Sequence, residues 1–337
     1  MNRFAQFLIR LIPSRTIRRK LREPSRPEYL HRLIAEIWSF GRVTPEWLGL
    51  LGLLSQSVSE WAELSGDVWL MYAAGLCETG EKEKAAHVLE KYSRRFGTRR
   101  IDLIFPLAAF ADEIGIANPE ITASANAFRT LEQNRRNGML AETLRGQSVA
   151  VVGNGPSEIG TGHGNRIDAY DKVIRLNNYR TAGYETDYGS RTNIWVTSAG
   201  KDVRRDRSYT NYELIVIGPN LWHSFLSEEE RALILEIHQK TDRIVTFDPP
   251  VQAELWEALG GCPSYGLVTI WTILRQNLTP LTSDDVFGFS FQQKVRQAYA
   301  EHYFRGESVA RRKERSHAHN FLNESAFLEK LFRQNGE

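Results

Sequence analysis

The fold is indicated by the stretch VAVVGNGPS at residues 149–157. Its four apolar residues predict a buried strand, and the glycines that follow predict a turn in which backbone amides can approach a phosphate group closely. A strand that enters such a turn is typical of α/β domains, which bind their ligands at the carboxyl ends of parallel strands. We therefore expect a nucleotide to bind just after residue 152.

The chain beyond this stretch alternates short β-branched segments with amphipathic ones. The predicted strands are residues 149–152, 172–176, 193–196, 214–217, 243–247 and 285–289. The predicted helices are residues 228–238, 266–275 and 323–333. This alternation predicts a Rossmann-like, three-layer α/β/α domain with a largely parallel sheet, which we place at residues 146–337.

The chain before the strands has a helical pattern throughout. Two helical stretches around a turn at residues 78–81 resemble a single tetratricopeptide hairpin, but no second copy follows at a regular period. The polar stretch at residues 132–138 separates this pattern from the first strand. The sequence thus predicts an all-α domain at residues 27–138 that precedes the α/β domain.

Composition narrows the class of protein. The 43 Lys and Arg residues nearly balance the 41 Asp and Glu residues, and the net charge of +2 predicts no nucleic-acid partner. Two cysteines, Cys77 and Cys262, are too few for a disulfide framework and match no zinc-ligand spacing, which favours a reducing compartment. No apolar run reaches the roughly 18 residues that a spanning helix needs. We expect a cytoplasmic protein.

Residues 1–26 combine an apolar helical stripe with a basic cluster. Seven Arg and Lys residues precede the first acid, Glu23. The stripe consists of Phe4, Phe7, Leu8, Leu11 and Ile12. This pattern predicts a helix that lies on the inner face of the plasma membrane, because each cation near an anionic surface contributes about 1 kcal/mol. A helix that docks on the protein itself is the alternative.

A dinucleotide site is the main alternative for the glycine-rich turn. Pro156 and a second glycine cluster at residues 160–164 interrupt the GxGxxG pattern that opens a helix in such sites. The second predicted strand ends in Asn177 and lacks the acid that binds a ribose. From the residues alone, the prediction is nucleotide binding without a more specific class.

The segment at residues 149–193 resembles the long donor-binding motif, called L, of the animal sialyltransferase family. The matching residues are AVVGN at 150–154, Ile167-Asp168, Asp171-Lys172-Val173, Arg175-Leu176-Asn177, Gly183-Tyr184-Glu185, Asp187 and Gly189-Ser190-Arg191-Thr192. A match of this length in order and spacing is highly specific.

Three later segments resemble the remaining motifs of that family, in its order. Residues 263–266, with the strand at 285–289, resemble the S motif; residues 302–304 resemble motif III; and His319 with Glu324 gives the HxxxxE pattern of the VS motif. The cysteines that pair in animal members are absent here, and Tyr265 replaces the usual Thr. The chain resembles a bacterial member of the family.

The resemblance implies a GT-A-like variant of the Rossmann-like fold and an inverting glycosyltransferase. Such an enzyme moves a nonulosonic acid, which is sialic acid or a relative, from a CMP-sugar to a hydroxyl of a glycan or glycolipid. No DxD pair ends a predicted strand, and no metal or other cofactor is expected. The expected product is a cell-surface polysaccharide, such as capsule, or a lipooligosaccharide. A CMP-Kdo transferase and an inactive scaffold that binds a partner through its helical domain are the alternatives.

The resemblance also assigns roles to individual residues. His319 is the expected general base, and His302 is the expected partner of the departing CMP phosphate. The expected donor-binding residues are Gly153, Asn154, Asn177, Ser264, Tyr265 and Gly266. The alternatives are ordinary turn chemistry for the asparagines, a helix N-cap for Ser264, and His317 as the base.

Deleting residues 1–22 should release the protein from membranes and leave turnover of a soluble acceptor unchanged, because these residues carry the apolar stripe and the basic cluster. Fractionation of cell extracts at low salt, followed by an assay of the soluble fraction, measures both effects. A truncated protein that sediments with membranes as the full-length protein does would show that the segment docks on the protein itself.

Overall fold

A computed structural model describes residues 44–57, 62–200, 203–289 and 321–334 of the chain. Several predicted features lie outside these residues. They are the basic amphipathic segment at residues 1–26, the two expected catalytic histidines, His302 and His319, and the alternative base, His317. What the sequence predicts for these residues stays a prediction.

A six-stranded parallel sheet lies at the centre of the α/β part, with the strand order β5-β4-β3-β2-β1-β6. The strands are β1 Val149–Val152, β2 Lys172–Leu176, β3 Ile194–Thr197, β4 Leu214–Ile217, β5 Ile244–Thr246 and β6 Val286–Phe287. The sequence prediction of a parallel α/β sheet is confirmed. The predicted bounds of β1, β2 and β4 agree residue for residue, and β3, β5 and β6 differ from their predicted bounds at the ends.

Helices connect the strands and also occupy the chain before them. In chain order they are α1 Pro45–Ser57, α2 Ala62–Glu78, α3 Lys82–Phe96, α4 Phe105–Glu113, α5 Pro119–Arg136, α6 Met139–Leu144, α7 Gly164–Asp168, α8 Glu185–Tyr188, α9 Glu228–Lys240, α10 Pro249–Leu259, α11 Tyr265–Arg275 and α12 Phe321–Gln334. The three helices predicted between and after the strands correspond to α9, α11 and α12. Among the described helices, none is both long and apolar enough to cross a membrane.

The sheet is covered on both faces, because side chains alternate between two separate apolar clusters along each strand. In β1, Val149 and Val151 belong to one cluster, together with residues of α11 and α12. Ala150 and Val152 belong to the other, together with Ile167 of α7 and Tyr188 of α8. Burial on both faces explains why the strands have continuous apolar sequences. It also accounts for the three layers.

The chain divides into two compact units. One unit comprises Leu131–Pro219 and Glu236–Glu337 and contains the sheet; the other comprises Met1–Thr130 and Asn220–Leu235. The short segment 220–235 joins the helical unit through an ion pair of 2.8 Å between Arg231 and Asp102 and through an edge-on contact of Trp222 with Phe128. No sequence pattern indicates that this segment belongs to the helical unit, because its partners lie about a hundred positions away in the chain.

Ile174→Ala should lower the free energy of unfolding by about 2–5 kcal/mol, because the side chain on β2 is 1% exposed and its removal leaves a cavity between sheet and helices. Ile159→Ala is the matched control, since that side chain is 46% exposed, and it should change the free energy by no more than about 0.5 kcal/mol. Denaturant titration followed by circular dichroism measures both. Equal losses for the two variants would contradict this packing.

Candidate nucleotide site at the strand ends

Two asparagines lie side by side at the carboxyl edge of the sheet. Asn154 follows β1 by one glycine, and Asn177 follows β2 directly. The strands are neighbours and parallel, so their ends meet at the same edge. The Asn154 Nδ2 group donates to the carbonyl oxygen of Leu176 at 2.8 Å and thereby ties the two strand ends together. The structure thus brings these two predicted donor-binding residues together.

Asn177 has a left-handed backbone with a φ of 46°, which asparagine tolerates better than most residues. Three hydrogen bonds hold it there. Its backbone amide donates to Val196 at 2.7 Å, its Oδ1 accepts from the Ser198 amide at 2.7 Å, and its carbonyl oxygen accepts from the Trp195 indole at 2.8 Å. This geometry explains why an asparagine stands at the turn, whether or not it also binds a ligand.

Gly153 is required where the ends of β1 and β6 meet. A Cβ atom at residue 153 would lie 2.5 Å from the carbonyl oxygen of Gly288, which is closer than any real contact. The amides of Gly153 and Gly155 donate to the carbonyls of Phe287 and Gly288, each at 2.7 Å. The glycine expected to let a phosphate approach therefore also lets a neighbouring backbone approach.

Tyr265 and Gly266 form the start of α11 beside the same edge of the sheet. A Cβ atom at Gly266 would collide with the ring of Phe289 and would lie 3.1 Å from the Leu176 side chain, next to Asn177. The ring of Tyr265 packs against Gly218, which follows β4. The S-like segment therefore lies beside the ends of β2 and β4. It adjoins the L-like segment, from which about 70 residues of sequence separate it.

Ser264 is the N-cap of α11, and its polar groups are bound to the protein. Its hydroxyl accepts from the Leu267 amide at 3.3 Å and donates to Glu324 at 2.6 Å, while its backbone amide donates to Glu324 at 2.9 Å. Glu324 is fully buried. A carboxylate of α12 thus occupies the N-terminus of α11, where the helix dipole and the unpaired amides favour an anion.

The charged residues of the L-like segment fix its loops. The Asp168 carboxylate accepts from the Ser190 and Arg191 amides at 2.8 and 2.9 Å, and the Arg191 guanidinium donates to the carbonyl oxygens of Asp168 and Tyr170. Asp187 accepts from the amides of Gly160 and Gly162. These side chains bind backbone groups of the same segment and thereby support the shape of the site.

Arg175 and Asp168 are among the groups of this segment whose pKa values are shifted. Burial lowers the pKa of the Arg175 guanidinium to about 10, and the side chain donates to the carbonyls of Arg191 and Tyr188 at 2.8 and 2.6 Å. Partial burial raises the pKa of Asp168, but hydrogen bonds from Ser190 and Arg191 and the charge of Arg175 outweigh it and hold the pKa below its usual value.

The sequence analysis missed one group close to this edge, which is the Glu158 carboxylate in the loop after β1. Its side chain contacts Gly288, Ser157 and His163. A single acid in a glycine-rich loop belongs to no spacing pattern, so no signal in the sequence could identify it. Within the residues that the structure describes, no group of three or more His, Cys, Asp or Glu side chains could hold a metal ion.

The parallel sheet with helices on both faces defines an α/β protein, and the paired asparagines mark the carboxyl edge of the sheet as the candidate ligand site. A family model gives a more specific similarity: residues 107–215 match glycosyltransferase family 29 (sialyltransferase). This range contains the whole L-like segment and extends back to α4. It ends before the segments that resemble the S, III and VS motifs.

Curated proteins show the same similarity. The chain is 34% identical over 84 residues to the human CMP-N-acetylneuraminate-beta-1,4-galactoside alpha-2,3-sialyltransferase. This match covers 25% of this chain and 22% of that protein. It is 39% identical over 82 residues to sialyltransferase-like protein 2 of Oryza sativa subsp. indica, with 21% of each covered. It is 27% identical over 196 residues to the mouse alpha-N-acetylgalactosaminide alpha-2,6-sialyltransferase 2, with 47% and 51% covered. The matches thus span from a fifth to a half of these relatives.

Among solved structures, the chain is similar to a mammalian sialyltransferase in complex with Gal-beta-1-3GalNAc-ortho-nitrophenol. The sequence identity is 18%, the TM-score is 0.37, and the match covers 55% of this chain and 66% of the other. A second structure of a mammalian sialyltransferase gives a TM-score of 0.39 at the same identity.

Asp168→Asn should destabilise the protein at neutral pH and have a smaller effect in acid. A carboxylate with a lowered pKa stabilises the fold above its unfolded pKa of about 3.9, and this contribution is lost as the pH falls through the folded value. The difference in melting temperature between wild type and variant should therefore shrink below about pH 4. Glu142→Gln, at an exposed position on α6, is the control. A difference that stays constant with pH would contradict the assignment.

Proposed function

We propose that this protein is an inverting glycosyltransferase that moves a nonulosonic acid from a CMP-sugar to a hydroxyl of a glycan or glycolipid. One observation carries the proposal. The segment that matches the sialyltransferase family model contains both Asn154 and Asn177, and the structure joins these asparagines at adjacent ends of parallel strands. This edge is where α/β proteins bind nucleotides.

Each asparagine side chain uses one of its two polar atoms within the protein and leaves the other available to the CMP-sugar. Asn154 uses Nδ2 in its bond to Leu176, and Asn177 uses Oδ1 to accept from Ser198. Among the described residues, Asn154 Oδ1 and Asn177 Nδ2 have no hydrogen-bond partner. The pair thus offers one acceptor and one donor at the strand ends, which suits a nucleotide that carries hydroxyl donors and phosphate acceptors.

The proposed reaction forms one bond and breaks another, and a different histidine assists each change. The acceptor hydroxyl oxygen forms a bond to the anomeric carbon while the bond from that carbon to the phosphate oxygen breaks, which inverts the configuration. His319 takes the hydroxyl proton as general base, and CMP departs with the bonding electrons. His302 stabilises the charge on the leaving phosphate as a hydrogen-bond donor.

The contact between Glu324 and Ser264 supports this assignment of His319. Glu324 is the last residue of the HxxxxE pattern, and its carboxylate is bound to the N-cap of the helix that begins with Tyr265 and Gly266. The helix that follows His319 in the sequence is therefore fixed to the S-like segment. The same contact makes Ser264 the N-cap that supports α11, and Ser264, Tyr265 and Gly266 stay the proposed donor-binding residues of this segment.

We propose a mechanism without a metal ion. CMP has a single phosphate and leaves as a monoester, so the charge that a divalent ion neutralises on a nucleoside diphosphate does not develop here. The basic amphipathic segment at residues 1–26 is proposed to bring the enzyme to the inner face of the membrane, where a lipid-linked acceptor for lipooligosaccharide or capsule synthesis is found. A bacterial source is part of the same proposal.

The purified full-length protein should release CMP from CMP-N-acetylneuraminic acid in the presence of a glycan acceptor, and EDTA should leave the rate unchanged. His319→Ala should lower the rate by about a hundredfold or more with nearly intact CMP affinity, because a general base acts on the acceptor. His302→Ala should weaken CMP binding as well, since a charge-assisted hydrogen bond to phosphate contributes about 1.5–3 kcal/mol.

His317→Ala is the control, because it removes an imidazole two residues from the proposed base. Loss of activity equal to that of His319→Ala, in a folded protein, would reassign the base. Release of CMP from CMP-Kdo alone would change the donor and keep the enzyme class. Absence of turnover with every CMP-sugar would favour an inactive scaffold, and a strict requirement for added manganese or magnesium would contradict the metal-free mechanism.

A further inference from the structure

The loop after β1 contains a buried carboxylate, which is unusual for a glycine-rich surface turn. Glu158 is 8% exposed. Transfer of a carboxylate from water into a protein costs several kcal/mol unless hydrogen bonds and charges compensate for the loss of water. The partners of this side chain therefore need to be accounted for.

Both oxygens of Glu158 contact hydrogen-bond donors. Oε1 accepts from the backbone amide of Gly288 at 2.9 Å and from the Ser157 hydroxyl at 2.9 Å, and Oε2 lies 2.9 Å from His163 Nδ1. This arrangement satisfies the ionised carboxylate, which only accepts hydrogen bonds. We call Glu158 with Gly288, Ser157 and His163 the Glu158 clamp.

The clamp joins two chain segments at the edge of the sheet that carries the proposed donor site. One segment is the loop that begins with Asn154 and Gly155, and the other is Gly288, directly after β6. The Gly155 amide donates to the Gly288 carbonyl at 2.7 Å, so Gly288 is held on both its carbonyl and its amide side. The Tyr188 hydroxyl fixes the same loop from its other side by donating to the Gly155 carbonyl.

A role in stability alone does not explain this arrangement. Replacing a buried ionic group with an apolar one of similar size is often neutral or stabilising, because no charge then needs to be desolvated. A carboxylate with three donors instead fixes directions, since each hydrogen bond has a preferred distance and angle. The segment that it fixes leads directly back to Asn154, whose Oδ1 is proposed to face the nucleotide.

We propose that Glu158 is a positioning residue for the donor, holding the loop at residues 154–158 and Gly288 in the geometry that lets Asn154 contact the CMP moiety. The role rests on the proposed function. The clamp itself does not, because its four residues contact one another without any ligand.

Glu158→Gln tests the proposal in the full-length protein. The glutamine keeps the size of the side chain but removes its charge, and its NH2 group must face either the two donors of Gly288 and Ser157 or His163 Nδ1. The KM for the CMP-sugar should rise about tenfold, which corresponds to the loss of about 1.4 kcal/mol, and kcat should change by less than about threefold. Ser157→Ala removes a single donor and should give a smaller rise in KM without unfolding the loop.

Asp171→Asn is the matched control, because Asp171 lies in the L-like segment but is not one of the proposed donor-binding residues. Asp171 has the same chemistry as Glu158, since its carboxylate accepts from a backbone amide and a serine hydroxyl, both of Ser148, at 2.9 and 2.7 Å. It lies at the opposite, amino-terminal end of β1 and β2. The KM for the CMP-sugar should stay at the wild-type value in this variant, although the melting temperature falls.

Hydrogen exchange of the ligand-free protein separates the clamp from the proposed function. Glu158→Gln should speed exchange of the Gly155 and Gly288 amides, and Asp171→Asn should not. Faster exchange with a raised KM supports the proposal; unchanged exchange, or faster exchange with an unchanged KM, overturns it. If the wild-type protein turns over no CMP-sugar but Glu158→Gln still speeds exchange of the Gly155 and Gly288 amides, the clamp is supported and the proposed function is contradicted.

Discussion

The close approach of Gly153 and Gly288 is the constraint on which the candidate site depends. No side chain fits between the two backbones, so the ends of β1 and β6 meet at a distance that only glycine allows. The amide of Gly155 can then reach the Gly288 carbonyl, and Glu158 can reach the Gly288 amide. Phe289, which follows, packs against Gly266 at the start of α11. A contact between two glycines thus links three segments that are far apart in the chain.

The charged side chains of the L-like segment hold its own loops in place. Its ions bind its own backbone: Asp168 binds the turn at Ser190 and Arg191, and Asp187 binds the amides of Gly160 and Gly162. Backbone amides in a loop would otherwise need water, so these carboxylates make a compact loop possible. In the described part of the chain, Asn154 Oδ1 and Asn177 Nδ2 have no hydrogen-bond partner.

A carboxylate from another helix is bound at the start of α11. A helix N-terminus attracts anions, and Glu324 supplies one from within the protein. The buried carboxylate is stabilised by the Ser264 amide and hydroxyl, so the cap and the acid depend on each other. This contact unites the S-like and VS-like segments, which the sequence separates by about 60 positions.

The sequence alone determined the sheet. Apolar runs such as residues 149–152 and 214–217 predict strands to the residue, because strands that are buried on both faces are mostly apolar. The sequence also placed Asn154 one glycine after the first strand and Asn177 directly after the second. Only the tertiary structure decided what these ends contact. The Glu158 clamp, the capture of Ser264 by Glu324 and the membership of residues 220–235 in the helical unit all depend on pairs of residues distant in the chain. Local periodicity records which face of an element is buried, but it contains no information about the partner that buries it.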